Sequence, residues 1–510
     1  MTRFVCIHAH FYQPPRTNPW TGRVYAEPSA RPFHDWNERI LRECYEPNAS
    51  ARILDGAGNV RRLLNNYSYM SFNFGPTLIG WIESHSPSTY SAIVEADRIS
   101  RSRFGGHGSA IAQAYSHAIL PLCTPRDLRT QISWGLADFE HRFGRPAEAI
   151  WLPECAADMK TLEAIAQAGM RFVILAPRQA ARVRPLDGTE WVDVDAETLD
   201  TTEAYLCELP SKRKLAVFFY DGRLSQQVAF EGLLENGDRL ADLLMQRAGE
   251  EGLASIATDG ETYGHHHKFG EMALAYAIDK MEHTGGVRLT NFAEFLERHP
   301  PRKAVELKLP SSWSCVHGIE RWRSDCGCSS GAHPGWNQRW REPLRRAIDE
   351  LAGFLAEQYE LATCDLFHDP WKARDDYIRV LLAPQGSEWE QFLHRNARRA
   401  IGEGERAVAF EMLRAHYHGQ LMQASCGWFF DDISGIEAGI VMLQAARAME
   451  LVRSAIGHDF EPRFVEILAE ARSNLPRRGT GADIYRRILK ERNPGVFAEA
   501  YEEAGDAADD

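Results

Sequence analysis

The sequence predicts an α/β domain, an incomplete parallel barrel, followed by a mostly α-helical region. Three observations carry this. Over about the first 300 residues, short apolar runs alternate with helical patterns, as the strand–helix units of a parallel sheet do. His8, Glu154, Asp221 and Asp259 all fall at or just past the C-terminal ends of such runs, on the rim where barrel-like folds build active sites. The units are too few for an eightfold barrel, and beyond about residue 336 the pattern is helical almost to the end.

The elements follow in order. Arg3–His8 is the first strand and delivers His8 and His10. A long irregular loop rich in Pro and Trp follows, of the kind that is more often functional than idle. Residues 48–66 read as a helix, 71–74 as a short strand, and helical patterns continue to about Arg103. Thr124-Pro125-Arg126-Asp127 combines an N-cap, Pro at the first helical position and an early acid, so a helix starts there and stops at Gly144. Buried-strand patterns cover 147–152, 172–175, 215–220 and 253–257. Helices are expected over 342–359, 388–401, 406–423 and 437–456.

Composition narrows the class. The chain has 510 residues, enough for two or three domains, and a net charge of −13. That charge opposes nucleic-acid binding, which needs clustered Lys and Arg. No run of about 18 apolar residues predicts a spanning helix, and no N-terminal segment reads as a signal peptide. The ten cysteines are scattered, which suits a reducing cytoplasm better than a disulfide framework. The expectation is a cytoplasmic enzyme for which neither nucleic acid nor membrane is a partner and self-association is open. Its acidic end, Tyr501–Asp510, reads as a frayed tail.

Carboxylates lead the chemistry. Glu154 in WLPEC and Asp259 in ATDGET each end an apolar run, where partial desolvation can shift a pKa toward a catalytic range. Two facing acids are the minimal equipment of glycoside chemistry. His8 and His10 share a strand face, and His265-His266-His267 stand near Asp259. They suit either hydrogen bonding to a polar ligand or metal ligation. Cys315, His317, Cys326, Cys328 and His333 form a further group. It lacks the paired C-x₂-C of common zinc sites and reads first as buried free thiols. Trp20, Trp36, Trp151, Trp313, Trp322, Trp336 and Trp340 crowd the same segments, as sugar platforms or as core.

Five ordered segments resemble the motifs of glycoside hydrolase family 57. They are His8-Ala9-His10-Phe11-Tyr12-Gln13-Pro14, Gly106–Leu122 (containing His117), Trp151–Glu154, Thr258–Glu261 and Ser311–Gly318. The resemblance covers roughly residues 1–320 and implies an incomplete (β/α)7 barrel at 1–305. A helical domain at 306–510 would carry the fifth motif, complete the cleft and resemble an extension of unassigned role. It further implies a retaining amylase, 4-alpha-glucanotransferase or branching-type enzyme acting on an oligo- or polysaccharide, with no cofactor and no metal. Glu154 would be the nucleophile and Asp259 the general acid/base. His8, His10, Gln13, His117, Trp151, Asp221, Glu261, His265, Trp313 and His317 would bind substrate. Ser109 stands where many members carry a Glu. Two other readings stay open: a metal-dependent deacetylase or mannosidase-like hydrolase using His8, His10 and Asp259, and a non-catalytic glucan-binding protein.

Overall fold

A computed structural model of the protein describes residues 2–383 and 387–497. The tail expected at 501–510 lies outside the described residues. The chain forms two compact units: Met1–Gln13, Asn37–Ala114 and Phe139–Ser314 in one, and Pro14–Trp36, Tyr115–Asp138 and Cys315–Asp510 in the other.

Seven of the first unit's strands form the arc that carries the site: β1 (Arg3–Phe11), β2 (Ser71–Phe74), β3 (Ala112–Gln113), β4 (Ile150–Trp151), β5 (Phe172–Leu175), β6 (Lys214–Phe219) and β7 (Leu253–Asp259). Parallel ladders join β7 to β1, β1 to β2, β3 to β4 and β5 to β6. Parallel bridges at Phe72–Ala110 and Ala149–Phe172 connect the rest. The order β7-β1-β2-β3-β4-β5-β6 is an arc of parallel strands. Its ends meet through Asp221 N–H donating to the Ser255 carbonyl (2.7 Å), and no ladder closes them among the described residues. The strands are largely apolar because both faces are buried, and β1 is covered from Phe4 to Phe11.

Two strands outrun their predictions. β1 continues past His8 through His10 to Phe11, and β7 through Asp259, so His10 and Asp259 stand on the sheet's end rather than in loops. The helix expected at 48–66 is instead a hairpin, Ala51–Leu54 against Val60–Leu64. Its first strand alternates in exposure and its second does not, and Asp55 ties the turn by accepting from the Ala57 and Asn59 amides, both at 2.9 Å. Turn chemistry overrides helical spacing there.

The second unit is helical, with Arg341–Thr363, Glu403–Leu421 and Ile436–Ile456 as its long helices. The helix heralded by Thr124 runs Pro125–Phe143, and Thr124 Oγ1 accepts from the Asp127 amide (3.1 Å).

Candidate active site

Glu154 follows β4 in a single tight turn, Pro153–Cys155. Its φ is +60° and that of Cys155 is +48°, a left-handed pair of non-glycine residues that costs about 1–3 kcal/mol each. Neighbouring chain holds the turn in place. Ala157 and Ser311 exchange backbone hydrogen bonds (2.9 and 3.1 Å), and the Trp313 amide donates to the Glu154 carbonyl (2.9 Å). Gln179 Nε2 donates to the Cys155 carbonyl (2.9 Å) and to Ser311 Oγ (3.0 Å). Arg178 Nη2 donates to the Ser312 carbonyl at 2.7 Å.

The strained turn brings the carboxylate to two donors. Glu154 Oε2 accepts from Trp313 Nε1 (2.9 Å) and from Ser314 Oγ (2.5 Å). Hydrogen bonds to a carboxylate favour its ionised form and fix its direction.

Asp259 closes β7. Its carboxyl reaches solvent, yet protein crowds around it. That burial, with the Glu154 charge second, pushes its pKa up to about 7. Behind it, Glu261 is buried and accepts from Tyr45 Oη (2.6 Å) and the Tyr12 amide (3.3 Å). Burial pushes Glu261 to about 8, with the Asp259 charge adding and the Tyr45 hydrogen bond opposing. Gly260, between the two acids, has no room for a Cβ, which would stand 2.2 Å from the Phe11 ring.

His8 and His10 lie on the neighbouring strand, with His10 in register with Asp259. Ser71 Oγ meets His8 Nδ1 at 3.0 Å, and Asn73 Nδ2 meets His10 Nδ1 at 2.9 Å while also donating to Gln113 Oε1 (2.7 Å). With Asn73 as donor, His10 carries its proton on Nε2. Both rings stack on Trp151, at 4.7 and 5.0 Å. Burial holds both pKa values down at about 3, with the His10 charge adding at His8. They are neutral polar groups near pH 7.

The other residues named from sequence are distributed as follows. Trp151 is 1% exposed, with both imidazoles stacked on it and Trp313 at its edge. It holds the histidines rather than presenting a platform. Trp313 and Gln13 are half-buried. Asp221 caps the helix Gly222–Phe230 by accepting from the Leu224 amide (2.9 Å) and pairs with Arg247, so its carboxylate is committed to structure. His265 Nδ1 meets Glu43 Oε2 at 2.5 Å. His117 belongs to the second unit, where Nδ1 meets Ser425 Oγ at 2.6 Å. Ser109 is fully buried, before β3. His317 also lies in the second unit, gathered with Cys315, Cys326 and Cys328. His333 is outside that group, stacked on Trp336 at 4.0 Å and paired with Asp431. Among the described residues, His8, His10 and Asp259 do not come together as a ligand set.

Sequence reasoning missed Ser314, Asn73, Gln113 and Tyr45. Each acts through a partner at least 40 positions away.

A left-handed turn carrying Glu154, a carboxyl at Asp259 with a raised pKa and two buried imidazoles stand at the ends of parallel strands of an α/β fold, groups of the kind that acid–base chemistry uses. Residues 104–308 match the family described as Glycosyl hydrolase family 57, and residues 336–496 match a Domain of unknown function, DUF3536. The chain thus carries a family 57 glycosyl hydrolase region and is a glycoside hydrolase or transglycosylase. Among solved structures it is similar to an exo-type maltose-forming amylase from Pyrococcus sp. ST04. That pair shares 16% identity and a TM-score of 0.69, over 91% of this chain and 82% of that one. A GH57-type branching enzyme from Pyrococcus horikoshii is similar at 15% identity and TM-score 0.53, over 98% and 96%. An alpha-amylase from Thermotoga maritima follows at 13% and 0.55, over 95% and 99%. Comparison with curated proteins finds no match.

Proposed function

We infer that this protein rearranges or hydrolyses alpha-glucans by retaining double displacement, inside the cell, on an incomplete (β/α)7 barrel formed by the seven-strand arc. The observation that carries this reading is the unequal treatment of two neighbouring carboxylates. Glu154 accepts two hydrogen bonds that favour its charge, while Asp259 is pushed up to about 7 partly by that charge. Environments that drive two acids apart assign their roles. Glu154 attacks the anomeric carbon as Asp259 gives its proton to the leaving oxygen. Asp259 then takes a proton from water or an acceptor hydroxyl, which displaces Glu154 and restores both groups. Neutral His8 and His10 supply hydrogen bonds without adding charge beside the nucleophile. The substrate class is supported by the similar structures, which are described as a maltose-forming amylase, an alpha-amylase and a branching enzyme.

Product analysis on maltooligosaccharides, amylose and glycogen tests the reading, with Glu154→Gln and Asp259→Asn alongside. Shorter or longer glucans from wild type, and losses of at least ~10³-fold in both variants, or about 4 kcal/mol of barrier, are expected. A wild type inert on every alpha-glucan removes the substrate class. An Asp259→Asn variant that keeps full activity removes the mechanism.

A further inference from the structure

We propose that Cys315, His317, Cys326 and Cys328 form a structural zinc site in the second unit. It rests on geometry apart from the carboxylates and stands whether or not the glucan reading holds.

The four ligand atoms lie within 4.8 Å of one another. Cys315 Sγ is 3.9 Å from Cys326 Sγ and 3.9 Å from Cys328 Sγ, and Cys328 Sγ is 3.6 Å from His317 Nδ1. A tetrahedral zinc ion has Zn–S bonds near 2.3 Å and Zn–N bonds near 2.05 Å, so its S···S edges are about 3.8 Å and its S···N edges about 3.6 Å. The three separations match those edges. Three sulfurs and one imidazole nitrogen are the donor set of a closed structural site, and thiolates select zinc over oxygen-seeking magnesium or calcium.

The chain is shaped to deliver these ligands. Two short arms, Cys-x-His and Cys-x-Cys, bring two donors each, and Gly327 between the last two cysteines takes φ +81°, a conformation that suits glycine. Between the short turn Glu320–Trp322 and the helix starting at Arg341 there is no regular element, so little backbone pairing holds this stretch. Side chains of the same unit anchor it instead. Arg341 Nη1 donates to the Cys328 carbonyl (2.8 Å), and Asp325 Oδ1 accepts from the Gln338 amide (2.9 Å). Asp431 Oδ1 accepts from the Ser330 amide (2.7 Å). Cys326 and Cys328 are half-buried and His317 is exposed. Converging thiols, two of them within reach of solvent while Cys315 is buried, are oxidation-prone unless coordinated. Cys315 directly follows Ser314, so the site would tether the chain next to the pair that holds Glu154.

The test is metal analysis of the full-length protein, expressed with zinc and purified reduced without chelator. About one zinc per chain is expected, falling to background in Cys326→Ser/Cys328→Ser and in His317→Gln, and unchanged in Cys364→Ser, whose exposed thiol lies outside the group. Cobalt substitution should give the intense visible absorption of tetrahedral thiolate-bound Co(II) in wild type and Cys364→Ser, and not in the ligand variants. Chelator should expose residues 316–340 to protease while the rest of the chain stays protected. Folded, reduced wild type that retains no zinc and gives no cobalt spectrum overturns the proposal, even if the variants misfold. So does iron in place of zinc, or an intact mass that shows a disulfide within the group.

Discussion

Ser314 and Trp313 share one oxygen of Glu154, and the consequence can be measured. A hydrogen bond to a charged group is worth about 1.5–3 kcal/mol, so Ser314→Ala should lower kcat roughly 10- to 100-fold. Ser314→Thr keeps the hydroxyl and should recover most of that loss. An Ala variant as active as wild type would mean the contact does not orient the nucleophile. Asp259 makes a pH prediction. A general acid must be protonated, and its protonated fraction falls as pH rises through about 7. The alkaline limb of kcat/KM should therefore lie near pH 7, not near the ordinary carboxylate range around pH 4. Removing the Glu154 charge removes the second of the two upward causes, so carboxyl titration of Glu154→Gln should place Asp259 lower than in wild type. Both acids were legible in sequence because each ends an apolar run. Ser314 was not, since its partner lies 160 positions away and only the turn at Glu154 brings them together. Asp221 was misleading for the same local reason, because a strand-end acid is also where a helix cap belongs.

Strands and turns were legible to different degrees. The arc's strands announced themselves as apolar runs because they are buried on both faces, whereas β3 and β4 contain two residues each and depend on their neighbours for definition. Residues 48–66 failed because a hairpin with mixed exposure carries little periodicity. The join between β7 and its following turn is tightly constrained, and Gly260 shows why. A Cβ there would meet the Phe11 ring at 2.2 Å. That ring is itself wedged by stacking on Phe74 at 4.5 Å, with Tyr45 and Tyr67 at its edges. Gly260→Ala should cost about 1–3 kcal/mol by overpacking and displace Asp259 and Glu261, lowering both melting temperature and activity. Adding Phe11→Leu should recover part of the stability, a non-additivity expected of touching residues. Thermal melts of the two singles and the double decide it, and strict additivity would show that the clash is not the cause.

At the scale of the whole chain, the boundary expected near residue 305 meets a more interleaved arrangement. The second unit takes Pro14–Trp36 and Tyr115–Asp138 from within the barrel sequence. The second of these stretches shows what that means energetically. Asp127 is buried, and Arg374 Nη1 and Gln420 Nε2 donate to its Oδ1 at 2.8 and 2.9 Å. Trp134 is fully buried and donates from Nε1 to the Asp375 carbonyl at 3.0 Å. Burial opposes ionisation of Asp127, and the Arg374 charge together with the Thr124 and Gln420 hydrogen bonds overcomes it, holding the carboxyl below its usual range. A chain ending at Ser314 would keep Asp127, Thr124 and Trp134 but lose Arg374, Gln420 and Asp375. Breaking a buried pair by removing one member costs about 3–5 kcal/mol, a large share of the 5–15 kcal/mol that holds a typical domain together. Residues 1–314 alone should therefore be insoluble or melt without cooperativity, and full-length Arg374→Met should be folded but less stable by that same 3–5 kcal/mol. Denaturant unfolding of the variant and circular dichroism of the truncation test the argument together. A truncation that folds cooperatively would mean the 115–138 stretch contributes little to the stability of residues 1–314. A fully stable Arg374→Met would mean that Asp127 is held by its remaining hydrogen bonds, and that the ion pair is not what fastens this stretch into the second unit.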